Sequence, residues 1–126
     1  MARANILVVD DEPLIGTIFV EYLQERGFAV VKASAAGEAL QQANSGLYDL
    51  IFLDIKMPEM DGVEILEEIK KLQPAARVIL MTGYWDQTGY LRKRAEEIGV
   101  YRILEKPFDI ADILPLIEEA LGTSPE

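Results

Sequence analysis

The sequence predicts an α/β domain built on a five-stranded parallel sheet with five helices on both faces. Three observations carry this. Five short, largely apolar runs recur along the 126 residues, a length that suits strands buried on both faces. Between them lie segments whose apolar residues recur at three- and four-residue spacing, the mark of amphipathic helices. Strict alternation of the two is the signature of right-handed βαβ units.

The elements follow in order. Ile6 to Val9 reads as the first strand, ending in Asp10-Asp11-Glu12. Pro13 suits the first turn of a helix whose apolar face is Leu14, Ile15, Ile18, Phe19, Tyr22 and Leu23, with Gly27 as its stop. Phe28 to Val31 is the second strand, and Ser34 is expected to cap a helix running to about Asn44. Asp49 to Leu53 is the third strand and delivers Asp54. A loop punctuated by Pro58 and Gly62 leads into a helix carrying Val63, Ile65, Leu66, Ile69 and Leu72, terminated by Pro74. Arg77 to Met81 is the fourth strand, ending at Thr82-Gly83. A segment around Tyr84 to Gly89 precedes a fourth helix that stops at Gly99. Val100 to Glu105 is less uniformly apolar, so it is expected at an edge, and it ends in Lys106-Pro107-Phe108. The last helix is drawn from Asp109 to Leu121. Pro115 sits badly inside it, so that helix either kinks or begins later.

Composition narrows the chemistry. There is no cysteine and no histidine, which excludes disulfides, thiol catalysis and imidazole ligation. A net charge of −10 argues against binding nucleic acid through its phosphates. No apolar run is long enough to span a bilayer, and no signal-peptide pattern opens the chain. A soluble, cytoplasmic domain over residues 1–122 is expected, with 123–126 as a polar tail or linker stub.

In a parallel sheet all strands end at one rim, and ligands bind there at the switch point of the strand order. With the flavodoxin-like order 2-1-3-4-5, that rim gathers Asp10, Asp11, Asp54, Thr82 and Lys106. Three carboxylates held close repel unless a cation offsets them, and hard oxygen donors suit Mg²⁺ or Mn²⁺. Metal, ammonium and hydroxyl together form a socket for a phosphoryl group. A carboxylate is the available nucleophile, and Asp54 is the central one.

The chain resembles a response-regulator receiver domain of two-component signalling over nearly its whole length. The matching pieces are Val8 to Glu12, Leu53 to Gly62, Met81-Thr82-Gly83 and Lys106-Pro107-Phe108. Among receivers it is most similar to those of the sporulation phosphorelay and of sigma-54-dependent activators. The resemblance implies that Asp54 is the phosphoacceptor and that Asp11, Asp54 and the backbone carbonyl of Lys56 bind Mg²⁺, with Asp10 holding a metal-bound water. It makes Thr82 the hydroxyl that moves toward the phosphoryl group, Lys106 the salt-bridging lysine of the family, and the Lys106–Pro107 bond cis. The implied partners are a histidine kinase or phosphotransfer protein and a downstream effector or linked output domain, with a phosphorylation-dependent dimer among the expected assemblies. Signalling rather than catalysis is the expected role, with slow autodephosphorylation. The output would leave through the face of helix 4, strand 5 and helix 5.

Two departures stand out. Where the family often has an aromatic, three residues before the strand-5 lysine, this chain has Ile103. Strand alternation would place Tyr101 on the same face as Ile103 but farther from the rim. The stretch from Thr82 to Gly99 is two residues longer than the family pattern, with Tyr84, Trp85 and Tyr90 giving it aromatic character as core cover or contact patch. By the resemblance, Lys56 and Tyr84 stand at positions that in receivers border the phosphoryl group, so a lifetime longer than that of fast chemotaxis receivers is expected. Two other readings fare worse. An aspartyl-phosphate phosphatase would want an acid where Lys56 stands, and a nucleotide carrier would not place Asp10-Asp11-Glu12 against phosphate. A phosphorylation-independent interaction module is the alternative that Ile103 motivates.

Overall fold

The computed structural model describes residues 3–55, 62–83 and 89–122. Its strands are β1 (Asn5–Val9), β2 (Ala29–Ala33), β3 (Leu50–Asp54), β4 (Arg77–Thr82) and β5 (Arg102–Glu105). Its helices are α1 (Pro13–Gln24), α2 (Ala36–Ser45), α3 (Gly62–Leu72), α4 (Tyr90–Ile98) and α5 (Ile113–Leu121). The sheet is parallel throughout, in the order β2-β1-β3-β4-β5, as the sequence predicts. β3 is central and buried along its whole length, whereas β5 is a half-exposed edge.

Each strand feeds two apolar layers because its side chains alternate between faces. Leu7, Val9, Ile51, Leu53, Val78 and Leu80 pack against Ala39 of α2, Ile65, Leu66 and Ile69 of α3, and Ala95 of α4. Ile6, Val8, Leu50, Phe52, Ile79 and Met81 pack on the other side against Phe19 and Leu23 of α1 and Ile113 and Ile117 of α5. The Phe19 ring sits 4.9 Å from Phe52 and 5.9 Å from Phe108, so aromatic packing links α1 both to the sheet and to the loop that follows β5. Among the described residues, no helix is long and apolar enough to cross a membrane.

Several local expectations change. Leu14 and Ile18 do not pack inward: they are 69% and 38% exposed, and α1 instead buries Gly16, Phe19 and Leu23. The buried stripe is narrower because Gly16 lets the helix close onto Lys32 of β2. Ser34 does not cap α2. Its backbone N–H and hydroxyl both donate to Glu38, so the carboxylate of the first turn reaches back, while Ala35 holds the cap position. The Pro115 conflict resolves by a late start. Asp109 accepts from the Ala111 N–H at 3.0 Å and opens a single 3₁₀ turn, Ile110–Asp112, before α5 begins. Pro115 is then the third residue of α5, within the first turn where helical N–H groups have no partner anyway.

Tyr101 and Ile103 lie on opposite faces of the sheet, not on the same one. Ile103 packs toward α3 and α4, and Tyr101 toward α1 and α5. The chain bends at Tyr101 and β5 begins only at Arg102, so strand alternation does not extend back to it. The Tyr101 hydroxyl donates to Glu119 of α5 at 2.8 Å.

The opposite rim, where strands begin, is held by Gln73. It is buried, its amide donates to the carbonyls of Ala43 and Gly46, and its carbonyl accepts from the Tyr48 N–H at 3.1 Å. One side chain thus ties the end of α3 to the α2–β3 connection.

Candidate functional site

Register decides which side chains meet at the rim. Val9 pairs with Leu53 and Asp54 with Met81, so Asp10 and Asp54 leave adjacent strands at the same level. Thr82 ends β4 one residue beyond Met81, and its carbonyl accepts the Lys106 N–H at 2.8 Å. That bond draws the loop after β5 over the rim. The Lys106–Pro107 peptide is cis.

The side chains converge accordingly. Lys106 Nζ lies 2.6 Å from Asp10 Oδ2, 3.4 Å from Asp54 Oδ2 and 3.4 Å from Glu12 Oε1. Asp10 and Asp54 are both buried. Asp10 has both oxygens engaged, because Oδ1 accepts the Glu12 N–H at 2.9 Å while Oδ2 takes the ammonium. Asp11, by contrast, is exposed. One oxygen from each of Asp10, Asp11 and Asp54 lies within 4.8 Å of the others. Hard oxygen donors at this spacing, two of them buried, fit Mg²⁺ or a similar hard divalent ion.

Burial alone would lower the pKa of Lys106. The hydrogen bond to Asp10 and the charges of Asp54, Asp10 and Glu12 outweigh it and hold the ammonium above its ordinary range. The lysine is therefore a permanent cation at neutral pH, set among three carboxylates.

Of the residues singled out in the sequence, the structure brings together Asp10, Asp11, Asp54 and Lys106, with Thr82 at the next strand end. Lys56, Tyr84 and Trp85 lie outside the described residues. Two further residues belong to the site. Glu12 reaches Lys106, a contact that its place after Asp10-Asp11 could have suggested. Gly62 starts α3 so close to β3 that a Cβ there would fall 2.0 Å from the Ile55 carbonyl oxygen. Only glycine allows that approach beside Asp54.

Next to the acids an open groove of about 420 Å³ is lined by Glu12, Ile15, Gly83, Lys106, Pro107 and Phe108. Leu14 and Ile18, on the same helix as Ile15, are exposed.

Comparison with known proteins agrees with this geometry. Residues 6–118 match the response regulator receiver domain family. The chain is 33% identical to sporulation initiation phosphotransferase F of Bacillus subtilis, covering 96% of each. It is 37% identical to the transcriptional regulatory protein ZraR of Escherichia coli over 94% of this chain, but spans only 26% of that protein. It likewise spans about a quarter of the NtrC regulators it matches. Among solved structures, a CheY-like receiver domain protein from Methanospirillum hungatei superposes with a TM-score of 0.87 at 33% identity, covering 94% of this chain and 93% of the other. A response regulator from Burkholderia pseudomallei, described with a phosphorylated aspartic acid, a calcium ion and citrate, superposes with a TM-score of 0.78 at 29% identity, over 95% and 75%.

Proposed function

Because this chain belongs to the response regulator receiver domain family, we propose that it works as a phosphoryl-accepting switch with Asp54 as the acceptor. The observation that carries the reading is the convergence of Asp10, Asp11, Asp54 and Lys106 at one sheet rim. The B. pseudomallei regulator, with its phosphorylated aspartate and divalent ion, supports it by likeness. Receiver domains are signalling switches, and this one spans residues 1–122 in the same reading, with 123–126 as tail or linker stub.

Asp54 is the nucleophile. One of its carboxylate oxygens forms a bond to phosphorus as the bond from phosphorus to the donor's histidine nitrogen breaks, and the electron pair leaves with that nitrogen. Asp11 and Asp54, with the backbone carbonyl of Lys56, would hold Mg²⁺, and Asp10, which accepts from the Glu12 N–H and from Lys106, would hold a water of the ion. The ion, when bound, offsets charge that builds on the phosphoryl oxygens. Lys106 and the Thr82 hydroxyl then meet those oxygens, Lys106 by swinging from Asp10. Such ordering of charges before reaction is the usual source of electrostatic stabilisation.

The donor, a histidine kinase or phosphotransfer protein, would meet the site over the groove beside Lys106 and the exposed Leu14 and Ile18. Output goes to an effector, a linked output domain or a second copy through α4, β5 and α5. Mg²⁺ with beryllofluoride tests the acceptor: the wild type should show a saturable spectral change that Asp54→Ala abolishes. A change that survives in Asp54→Ala would overturn the assignment.

A further inference from the structure

On the other side of Asp10 from the acid cluster lies a cavity that the phosphoryl chemistry leaves unused. It opens between α1, the end of β2 and the start of α2, with a volume of about 140 Å³, and its lining includes Gly16, Lys32, Ser34, Glu38, Glu12 and the buried Asp10. Cavities of comparable size admit a benzene-sized molecule. Gly16 makes the room. It lies inside α1 without a positive φ, where alanine would be the better helix former, so neither turn geometry nor propensity accounts for it. A Cβ there would meet only the stem of Lys32, at 3.3 Å.

Two opposite charges share this cavity without neutralising each other. Lys32 Nζ donates to the Thr17 hydroxyl at 3.3 Å. Glu38 accepts from the Ser34 N–H at 2.7 Å and from the Ser34 hydroxyl at 3.3 Å, both through Oε1. Among the described residues, neither Lys32 nor Glu38 makes an ion pair. An ammonium carries three donors and a carboxylate two acceptor oxygens, so each group has bonding capacity left. Glu12 adds a second carboxylate to the wall.

We propose that this cavity binds a small zwitterion of amino-acid size, whose carboxylate accepts from Lys32 and whose ammonium is held by Glu38 and Glu12. A singly charged molecule satisfies one of these groups and leaves the other as it was, so recognition needs both charges on one ligand. The bound molecule sits against the turn between β1 and α1, because Asp10 and Glu12 line the cavity as well as the acid site. Its binding does not depend on Asp54 being the phosphoacceptor.

The test follows the amide resonances of Gly16, Thr17 and residues 32–38 while glycine, β-alanine or 4-aminobutyrate is added at constant ionic strength, with acetate and methylamine as singly charged controls. At least one zwitterion should give saturable shifts centred on these residues, and the controls should give none. Lys32→Met keeps the stem that lies on Gly16 and removes the charge, while Glu38→Gln keeps an oxygen for the Ser34 N–H. Each should weaken binding about tenfold or more, the loss of one charged hydrogen bond. Gly16→Ala, which displaces the Lys32 stem, should also weaken binding with the circular dichroism spectrum unchanged. The absence of a saturable shift with all three zwitterions, equal shifts with acetate or methylamine, or an affinity unchanged in any of the three variants would overturn the proposal.

Discussion

Lys106 Nζ stands 2.6 Å from Asp10 Oδ2, joining the loop after β5 to the end of β1 across 96 residues of sequence. The contact raises the lysine's pKa in the folded chain. A raised folded value means that its stabilisation is fully present below the ordinary lysine range and is lost as pH rises through the raised value. Urea unfolding in metal-free buffer should therefore show stability falling above about pH 10.4, the ordinary lysine value, with that alkaline fall reduced in Lys106→Met. An identical alkaline limb in both proteins would show that the pair does not link folding to this proton.

Gly62 is the second tie at the rim. A Cβ there would meet the Ile55 carbonyl at 2.0 Å, a distance that forces the backbone to move. Gly62→Ala should cost about 1–3 kcal/mol or more in unfolding free energy, by the strain of overpacking against main chain. It should also weaken beryllofluoride binding, since Ile55 directly follows Asp54. Full stability and full binding in Gly62→Ala would mean that the approach of α3 to β3 is unimportant.

Gln73 makes a contrasting case at the far rim. Gln73→Ala leaves the carbonyls of Ala43 and Gly46 and the Tyr48 N–H without the side chain that pairs them. Of these bonds the one to Ala43 is fully buried, and a buried group left unpaired costs about 1–3 kcal/mol, so a loss of about that size in stability is expected, with metal affinity unchanged below the melting transition. Denaturant titration and Mn²⁺ binding on the same sample would separate the two.

Tyr101 offers a milder test. Its hydroxyl and the Arg102 guanidinium share Glu119 at an exposed position, and the tyrosine pKa is pushed up chiefly by the hydrogen bond to that carboxylate. Exposed pairs of this kind contribute little because water competes for both partners, so Tyr101→Phe should leave the urea midpoint close to that of the wild type. Because Tyr101 faces α1 and α5 while Ile103 faces α3 and α4, Tyr101→Phe should also leave any phosphorylation-dependent change at α4 intact. Loss of that change would make Tyr101 the switch aromatic despite its placement.

How much of this was legible in the sequence depended on the range of the interactions. Apolar runs such as Leu50-Ile51-Phe52-Leu53 announce a buried strand locally, and alternation with helices then dictates a parallel sheet. From those two facts the meeting of Asp10, Asp54 and Lys106 follows, because every strand ends at the same rim. What escaped were features decided by packing across the fold or by competition between near neighbours. Leu14 and Ile18 fit a helical stripe, yet α1 rests on β2 through Gly16, which leaves them outside. Ser34 has the chemistry of a cap, but Glu38 takes its hydrogen bonds first. Gln73 looks like an ordinary polar residue before a proline, and only the fold brings Ala43, Gly46 and Tyr48 around it. Tyr101 was misread because the strand begins two residues later, at Arg102, than the apolar pattern that starts at Val100.

Intact mass after incubation with acetyl phosphate and Mg²⁺ tests the central claim most directly, with Asp54→Ala beside the wild type. The account predicts that the wild type gains the mass of a single phosphoryl group, lost again on mild alkaline treatment as an acyl phosphate should be, and that Asp54→Ala gains none. A wild type that stays unmodified, or an Asp54→Ala chain that takes up the same mass, would contradict it.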